Sequence, residues 1–285
     1  MHLENRMIAM LDVLGFSNRI RTRPELLQTM EKYAEMIKLA KQHMFSPQTV
    51  EGSPNQAEPN FEFGQFVFDT LVLVSHPLDI FSAYRFIFAT ILLMETFYKE
   101  KFPLRGCIGI GDLCIDETSQ VFLSDAFKRL RIEEEGQQWS GCVLLEEVEK
   151  FVLDAVLGST VEVARFTEMP RSSLMHWFPV PVKEVVDPPR NRWCLNWSYF
   201  LSSSTVDAGL EYMEGDPVKR VNTAKYIQFL NTLPDDAQVL PDEFFPAKTV
   251  KFMKARAGVR LKFRDKDDNA AEPGCQQWTF SARTD

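Results

Sequence analysis

The sequence predicts an α+β fold in which helices pack on an antiparallel sheet, and three observations lead to this prediction. Short apolar runs have the length of buried strands, whereas longer segments repeat apolar residues every three or four positions, as helices do. The two kinds of segment follow one another as β-α-β-β-α-β in the first half of the chain, the order of ferredoxin-like folds. Apolar residues make up 45% of the 285 residues, the composition of an ordinary globular protein.

The first elements each have a local signal. Residues 7–14 form a short apolar run that ends at Gly15 and predict a buried strand. The next segment has one apolar face and predicts an amphipathic helix with Pro24 in its first turn. Residues 46–60 contain three prolines and a glycine, which predict an exposed loop. Residues 61–75 predict either a hairpin or one bent strand.

The following elements complete the predicted sheet. Residues 79–102 form a long periodic apolar segment with Asp79 as its cap, which predicts a helix largely buried on one face. Residues 104–115 predict another strand, and residues 120–123 a short strand before a further helix. We therefore expect an antiparallel sheet with its helices on one face.

The rhythm of the chain changes near residue 150, and this change predicts its domain organisation. We expect a palm-like domain over residues 1–150, an α/β elaboration over 151–245, and a basic and then polar tail over 246–285. The elaboration contains three strand-like segments and one helical segment, at residues 160–166, 177–183, 192–197 and 218–233.

Charge and composition exclude several classes of function. The 32 basic residues are outnumbered by 40 acidic ones, and the net charge of −8 argues against binding nucleic acid or an anionic membrane. The longest apolar run, residues 86–94, is too short to cross a bilayer. The first residues lead directly into a strand without a signal-peptide pattern, and five scattered cysteines suit a reducing compartment, so we expect a cytoplasmic protein.

Two aspartates are the candidate metal ligands. Asp12 is the only charged residue in MIAMLDVLGF, and Asp69 is the only one in FVFDTLVLVS. A carboxylate in such a run is costly to bury unless it is paired or binds a metal. If the two strands are neighbours, their oxygens suit a hard cation such as Mg²⁺ or Mn²⁺. The alternative for each aspartate is a structural one, in which it caps a turn or a helix.

The residues after Asp12 predict a phosphate-binding turn. A strand is followed by Gly15, which permits close backbone approach, and by Ser17, which can cap a helix. Free backbone N–H groups at a helix start bind phosphate, so such a turn beside a metal ligand would hold a triphosphate. Taken alone, the same pattern is also an ordinary structural turn.

Several motifs in this order resemble one protein family. Residues 11–16 (LDVLGF), 68–70 (FDT) and 104–112 (LRGCIGIGD) resemble the metal motifs and the following strand of class III nucleotidyl cyclases. Three later segments resemble the pyrimidine cyclases of bacterial Pycsar anti-phage defence, namely residues 121–141, 192–197 and 218–230. The resemblance implies a palm-like homodimer that makes cyclic UMP or cyclic CMP.

The resemblance also implies roles for individual residues. Two Mn²⁺ or Mg²⁺ ions per site would be held by Asp12, Asp69 and the carbonyl of Val13, and the nucleotide would contact Gly15 and Phe16. No protein nucleophile is required, because the ribose 3′-OH attacks the α-phosphorus and expels pyrophosphate. The asparagine and arginine that stabilise the transition state in the purine cyclases have no clean match in this sequence. Lys128, Arg129 and Arg131 lie in the corresponding helix, so Lys128 and Arg129 would take over this role.

Base selection would depend on Gln65 and Arg105. The Gln65 amide can donate and accept, so it matches either pyrimidine, whereas the arginine only donates and favours uracil O4. We therefore expect UTP as substrate, with CTP as the alternative and a catalytically inactive nucleotide- or partner-binding module as a second alternative. The active sites of the dimer would be composite, with the metal ligands and base-reading residues from opposite subunits. A cyclic-nucleotide-sensing effector would read the product.

Overall fold

The protein is described from a computed structural model. The structure describes residues 4–16, 23–45, 59–116, 121–158, 171, 173–183, 190–213 and 215–234. The predicted cap Ser17, the predicted loop up to residue 58, the predicted strand at 160–166 and the predicted tail lie outside the described residues.

The first half has the predicted element order. It comprises β1 (Glu4–Val13), α1 (Arg23–Phe45), β2 (Phe63–Val67), β3 (Thr70–Val74), α2 (Ile80–Lys99) and β4 (Leu104–Asp116). The four strands lie in the order β2-β3-β1-β4, and every neighbouring pair is antiparallel. This is the ferredoxin-like arrangement, so the predicted α+β fold class is confirmed. Residues 61–75 form a hairpin rather than one bent strand.

The second half continues the same sheet. Its elements are β5 (Val121–Ser124), α3 (Ala126–Gly136), β6 (Cys142–Leu144), α4 (Glu146–Gly158), β7 (Met175–Pro179), β8 (Asn191–Leu195), α5 (Ser203–Tyr212) and α6 (Pro217–Thr232). Strand β6 runs parallel to β4, and β8 and β7 follow it, while β5 pairs with the far end of β4. The described strands beyond residue 150 therefore extend the sheet that carries Asp12.

The two faces of the sheet have different coverings. The face that carries Leu11 and Phe66 packs on α1 and α2, and the Phe66 ring lies 6.1 Å from Tyr33 and 6.2 Å from Phe97. Helix α3 packs on the opposite face, against β4 and β1, where the Cys107 thiol donates to the Leu130 carbonyl. The expectation that all helices cover one face is therefore correct for α1 and α2 and wrong for α3.

Local signals explain where the helices begin. The Asp79 carboxylate accepts from the Ser82 backbone N–H at 2.7 Å, and the Ser82 hydroxyl accepts from the Asp79 N–H, which makes a capping box at the start of α2. Helix α6 joins the C-terminal half to the core, since its Thr223 accepts from the Ser140 N–H. Among the described helices, none has the length and apolar character needed to cross a membrane.

Candidate active site

Asp12 lies near the end of β1, between two strands. Its neighbours across the sheet are Thr70 on β3 and Arg105 on β4, so all three residues share the face of the sheet opposite α1 and α2. Gly106 lets β4 approach β1 closely here, because a Cβ at this position would lie 2.1 Å from the Met10 carbonyl oxygen. The close approach positions Arg105 beside Asp12.

Asp69 lies in the two-residue turn that joins β2 to β3. The turn is held from two sides: the Val13 N–H donates to the Asp69 carbonyl at 3.1 Å, and the Tyr33 hydroxyl of α1 donates to the Phe68 carbonyl at 3.1 Å. Phe68 has a φ of 59°, a left-handed conformation that usually favours glycine in hairpin turns. The turn brings Asp69 to the end of β1, so the two predicted metal ligands lie together.

Arg105 connects Asp12 to helix α3. One terminal nitrogen of its guanidinium donates to Asp12 Oδ2 at 3.0 Å and also forms an ion pair with Glu134, and the other donates to the Gln137 carbonyl at 3.0 Å. Arg105 is buried, and its Nε makes no hydrogen bond in the part of the chain that the structure describes. The guanidinium is thus shared between two carboxylates.

The site holds more negative than positive charge. Burial, and next the negative charge of Glu134, raise the pKa of Asp12 to about 7; Asp69 adds to this rise, and Arg105 partly offsets it. Burial also raises the pKa of Glu134, against the attraction of Arg105. The pKa of the Tyr33 phenol is raised by burial and then by Asp69 and Asp12. A buried acid whose pKa is raised beside further carboxylates is typical of functional sites.

The two aspartates carry the kind of oxygen donor that a divalent metal prefers. Mg²⁺ binds carboxylate oxygens in proteins and completes its shell with waters and substrate phosphates. Within the described ranges, no cluster of three or more histidines, cysteines or acids is placed to hold a metal. Glu134 is accordingly paired with Arg105 and does not join the two aspartates as a third ligand.

The turn after β1 adjoins a cavity built partly by the C-terminal half. Gly15 has a φ of +72°, which a side chain would disfavour, and the Phe16 ring packs 4.8 Å from Tyr33. Helix α1 is described from Arg23 onward. Ser17, the predicted cap of this helix, lies outside the described residues. The cavity has a volume of about 180 Å³ and is lined by Leu14, Gly15, Pro103, Tyr212, Met213, Gly215, Asp216 and Lys219.

Gln65 lies on the same face as Asp12 but two strands away. It pairs with Val72, which pairs with Met10, and these side chains share the face that carries Asp12. Gln65 is half-buried and lies on β2, the strand at the edge of the sheet. Gln65 and Asp12 can therefore line one surface of the sheet.

Lys128 and Arg129 lie far from the aspartates of the same chain. Arg129 donates to the Ile110 carbonyl, which lies five residues beyond Arg105 on β4, roughly 17 Å along the strand. Arg129 also forms ion pairs with Glu147 at 3.2 Å and Asp125 at 3.6 Å, and Lys128 is exposed. Neither residue is brought to Asp12 within one chain.

Sequence reasoning missed three residues of this site. Tyr33 was predicted only as part of an apolar helix face, Lys219 as part of a C-terminal helix, and Glu134 not at all. A signal for Glu134 exists: on α3 it continues the buried stripe that contains Ala126 and Leu130, at a position where an apolar residue is expected. An acid at such a position needs a buried cation.

Comparisons with known proteins give similarity of fold only. No protein-family model and no curated protein matches the chain. Among solved structures, the chain is similar to the adenylyl cyclase CyaB from P. aeruginosa, with 10% identity, a TM-score of 0.41, and coverage of 68% of this chain and 94% of the other. It is also similar to the guanylyl cyclase Cya2, with 11% identity, a TM-score of 0.39, and coverage of 68% and 91%. With such values, any functional conclusion depends on the geometry of the site and on the sequence motifs.

Proposed function

We propose that the protein is a pyrimidine nucleotide cyclase that converts UTP to 3′,5′-cyclic UMP and pyrophosphate. The observation that carries the proposal is the meeting of Asp12 and Asp69 at the end of β1, where burial and then the neighbouring carboxylates raise the pKa of Asp12 to about 7. The motif resemblance supports the choice of a cyclase and a role as signal generator in bacterial anti-phage defence.

In this proposal, Asp12 and Asp69 hold two divalent cations, Mn²⁺ or Mg²⁺, with the Val13 carbonyl as a further ligand. When bound, the cations supply activation of the ribose 3′-OH and neutralise charge on the leaving pyrophosphate. Leu14 and Gly15 line the cavity that would receive part of the nucleotide, and Phe16 follows them in the same turn. The Lys219 ammonium at this cavity pairs with Asp216 at 2.6 Å, so it offers a cation whose charge is already balanced.

The base would contact the open part of the sheet face that carries Gln65. Its half-buried amide offers a donor and an acceptor to either pyrimidine edge. Arg105 was predicted as the second base-reading residue, and its bonds to Asp12 and the Gln137 carbonyl occupy two of its nitrogens. The preference for uracil over cytosine is a separate part of the proposal, and CTP is the alternative substrate.

The geometry changes one expectation about the dimer. Arg105 was predicted to meet the metal ligands across a subunit boundary, and this is wrong, because it bonds Asp12 within its own chain. Lys128 and Arg129 lie far from the aspartates of the same chain, and this supports their supply by the second subunit of a homodimer with composite sites.

The direct test is to incubate the purified protein with each of the four nucleoside triphosphates and Mn²⁺ and to identify the products by mass spectrometry. We expect cyclic UMP and pyrophosphate from UTP, and smaller amounts of cyclic CMP from CTP. Pyrophosphate release without a cyclic product would contradict the cyclase proposal. An Asp69→Asn protein, treated identically, controls for contaminating activities.

The second candidate function is a catalytically inactive module that binds a nucleotide or a protein partner. The observation in its favour is that Arg129 is paired with Glu147 and Asp125 within its own chain. If this candidate were correct, UTP would bind, as measured by calorimetry, without any product after prolonged incubation. A cyclic product would exclude it.

A further inference from the structure

The guanidinium of Arg105 is divided between two carboxylates, and the two have different surroundings. Asp12 lies near the end of β1, where its side chain is 18% exposed. Glu134 lies on the buried side of α3 with its side chain 1% exposed, and Arg105 is its ion-pair partner. The Gln137 carbonyl, one turn further along, accepts a bond from the same guanidinium. One of the carboxylates can be reached by an ion from solvent and the other cannot.

A buried carboxylate of this kind is costly without a partner, because removal from water penalises its charge. In the described part of the chain, Glu134 is not grouped with the aspartates as a metal ligand. The nearby Arg131 attracts it, but Arg131 is half-exposed and bonds Glu135 at 2.5 Å. What Glu134 does is provide Arg105 with a second counter-ion.

This second counter-ion matters if a cation binds Asp12. The Arg105 guanidinium donates to Asp12 Oδ2, so a metal that approaches this carboxylate meets a positive charge about 3 Å from the oxygen that it needs. The hydrogen bond between the guanidinium and Asp12 must then break. The guanidinium still keeps its ion pair with Glu134 and its hydrogen bond to the Gln137 carbonyl.

We propose that Glu134 is a positioning residue for the metal site: it retains Arg105 when a divalent cation displaces this arginine from Asp12. Arg105 thereby acts as a placeholder cation on Asp12 in the metal-free protein. The inference rests on the proposed function, since it takes Asp12 as a metal ligand. It adds a residue of α3, remote from solvent, to those that determine how tightly the metal binds.

The test measures Mn²⁺ binding without nucleotide, from the electron paramagnetic resonance signal of free Mn²⁺ during a titration. Among the described residues, Glu134→Gln leaves Asp12 as the carboxylate that forms an ion pair with Arg105, so we expect Mn²⁺ to bind about tenfold more weakly, the effect typical of residues that orient a metal ligand. The matched control is Glu133→Gln, which removes a buried acid from the adjacent position. Glu133 pairs with Arg190 at 2.9 Å, so we expect near wild-type affinity.

A double-mutant cycle distinguishes the placeholder from a general loss of negative charge. Arg105→Gln removes the competing cation, and we expect tighter Mn²⁺ binding than in wild type. In that background Glu134→Gln should have little further effect, because Glu134 acts through Arg105. If Glu134→Gln weakened Mn²⁺ binding by the same factor with and without Arg105, the charge alone would explain it and the inference would be overturned.

Failure of a variant to fold, unchanged Mn²⁺ affinity and absent Mn²⁺ binding each have a defined consequence for the role of Glu134. If Glu134→Gln does not fold, as judged by circular dichroism, Arg105→Gln alone tests the inference: tighter binding supports it, and weaker binding overturns it, since Arg105 would then orient Asp12 for the metal. Wild-type Mn²⁺ binding with an unchanged affinity in Glu134→Gln would overturn the inference and leave the proposed metal site intact. Absence of Mn²⁺ binding in wild type would overturn both.

Discussion

Two acidic regions of this protein are balanced differently. On helix α3 the glutamates on either side of Glu134 each have their own arginine: Glu133 pairs with Arg190 at 2.9 Å and Glu135 with Arg131 at 2.5 Å. At the end of β1, by contrast, Asp12 and Glu134 share the single guanidinium of Arg105, and Asp69 adds a third negative charge.

The difference indicates where an external cation belongs. In the first region the fold supplies every counter-charge itself, so an added ion would bring no gain. In the second region the acids outnumber the arginine, and their repulsion adds to burial in raising the pKa of Asp12.

Asp69→Asn should remove one of the three negative charges of the site with little change of shape. We expect cyclase activity to fall by about three orders of magnitude or more, because the metals supply both nucleophile activation and leaving-group stabilisation. Mn²⁺ should raise the melting temperature of wild type, by binding the folded state, and raise that of the variant much less.

The control for this prediction is Asp79→Ala, which removes a structural aspartate. Asp79 caps α2, so its loss should cost about 1 kcal/mol of unfolding free energy and spare the activity per folded molecule. If Asp69→Asn behaved like Asp79→Ala, with lower stability and full activity, Asp69 would be a turn residue and the two-metal proposal would be wrong.

Mixing two inactive variants should restore part of the activity. Asp69→Asn and Arg129→Ala each damage the proposed composite site from a different subunit, and random exchange would give about a quarter of wild-type activity if the protein is a two-fold dimer. Arg129 is exposed, so its ion pairs contribute little to stability and its loss should not unfold the protein.

A mixture of Asp12→Asn and Asp69→Asn is the matched control. These aspartates meet within one chain, so no arrangement of subunits gives an intact site and no activity should return. Recovery in this control, or none in the first mixture despite measured subunit exchange, would contradict composite sites of the proposed kind.

The pH dependence of stability should differ between wild type and Asp12→Asn. Because the pKa of Asp12 is raised from 3.8 to about 7, the folded protein binds a proton that the unfolded chain releases. The contribution of Asp12 is therefore fully present below about pH 4 and is lost as the pH rises through 7. In EDTA, wild type should lose roughly 2 kcal/mol relative to the variant between pH 5 and 7.

Urea unfolding of both proteins at several pH values measures this difference, and groups that titrate alike in both proteins cancel. Mn²⁺ added at pH 8 should restore the stability of wild type and leave Asp12→Asn nearly unchanged. An identical pH dependence in both proteins would show that Asp12 is not the strained acid of the site.

Phe68→Gly should stabilise the hairpin turn that carries Asp69. The Phe68 side chain is 90% exposed and its φ is 59°, so glycine relieves backbone strain without loss of burial. We expect a gain of about 0.5–1 kcal/mol in urea unfolding, with activity retained. Lys101→Gly, at the other left-handed non-glycine residue of the described chain, is the control and should give a similar gain. A loss of stability only in Phe68→Gly would mean that the phenyl ring has a partner.

Much of the first half could be predicted because its signals are local. Strands such as β1 and β4 are short apolar runs, and α2 begins at an aspartate with a capping pattern. The convergence of Asp12 and Asp69 was also predictable, since the element order places β1 next to the hairpin whose turn carries Asp69. In contrast, the placement of Lys128 and Arg129 at the far end of β4 depends on how α3 lies on the sheet, which periodicity does not report.

Local signals predict the α+β order of elements and single out the two aspartates that stand alone in apolar runs, because periodicity and the cost of a buried charge act over a few residues. The packing of α3 on the sheet, in contrast, is what pairs Arg105 with Asp12 in its own chain and makes Glu134, one of three successive glutamates on α3, its second partner. The physical reason is that a charge is balanced by whatever the packing brings within a few ångströms. Here, that partner lies twenty-nine positions from Arg105 along the chain and on a different layer of the fold.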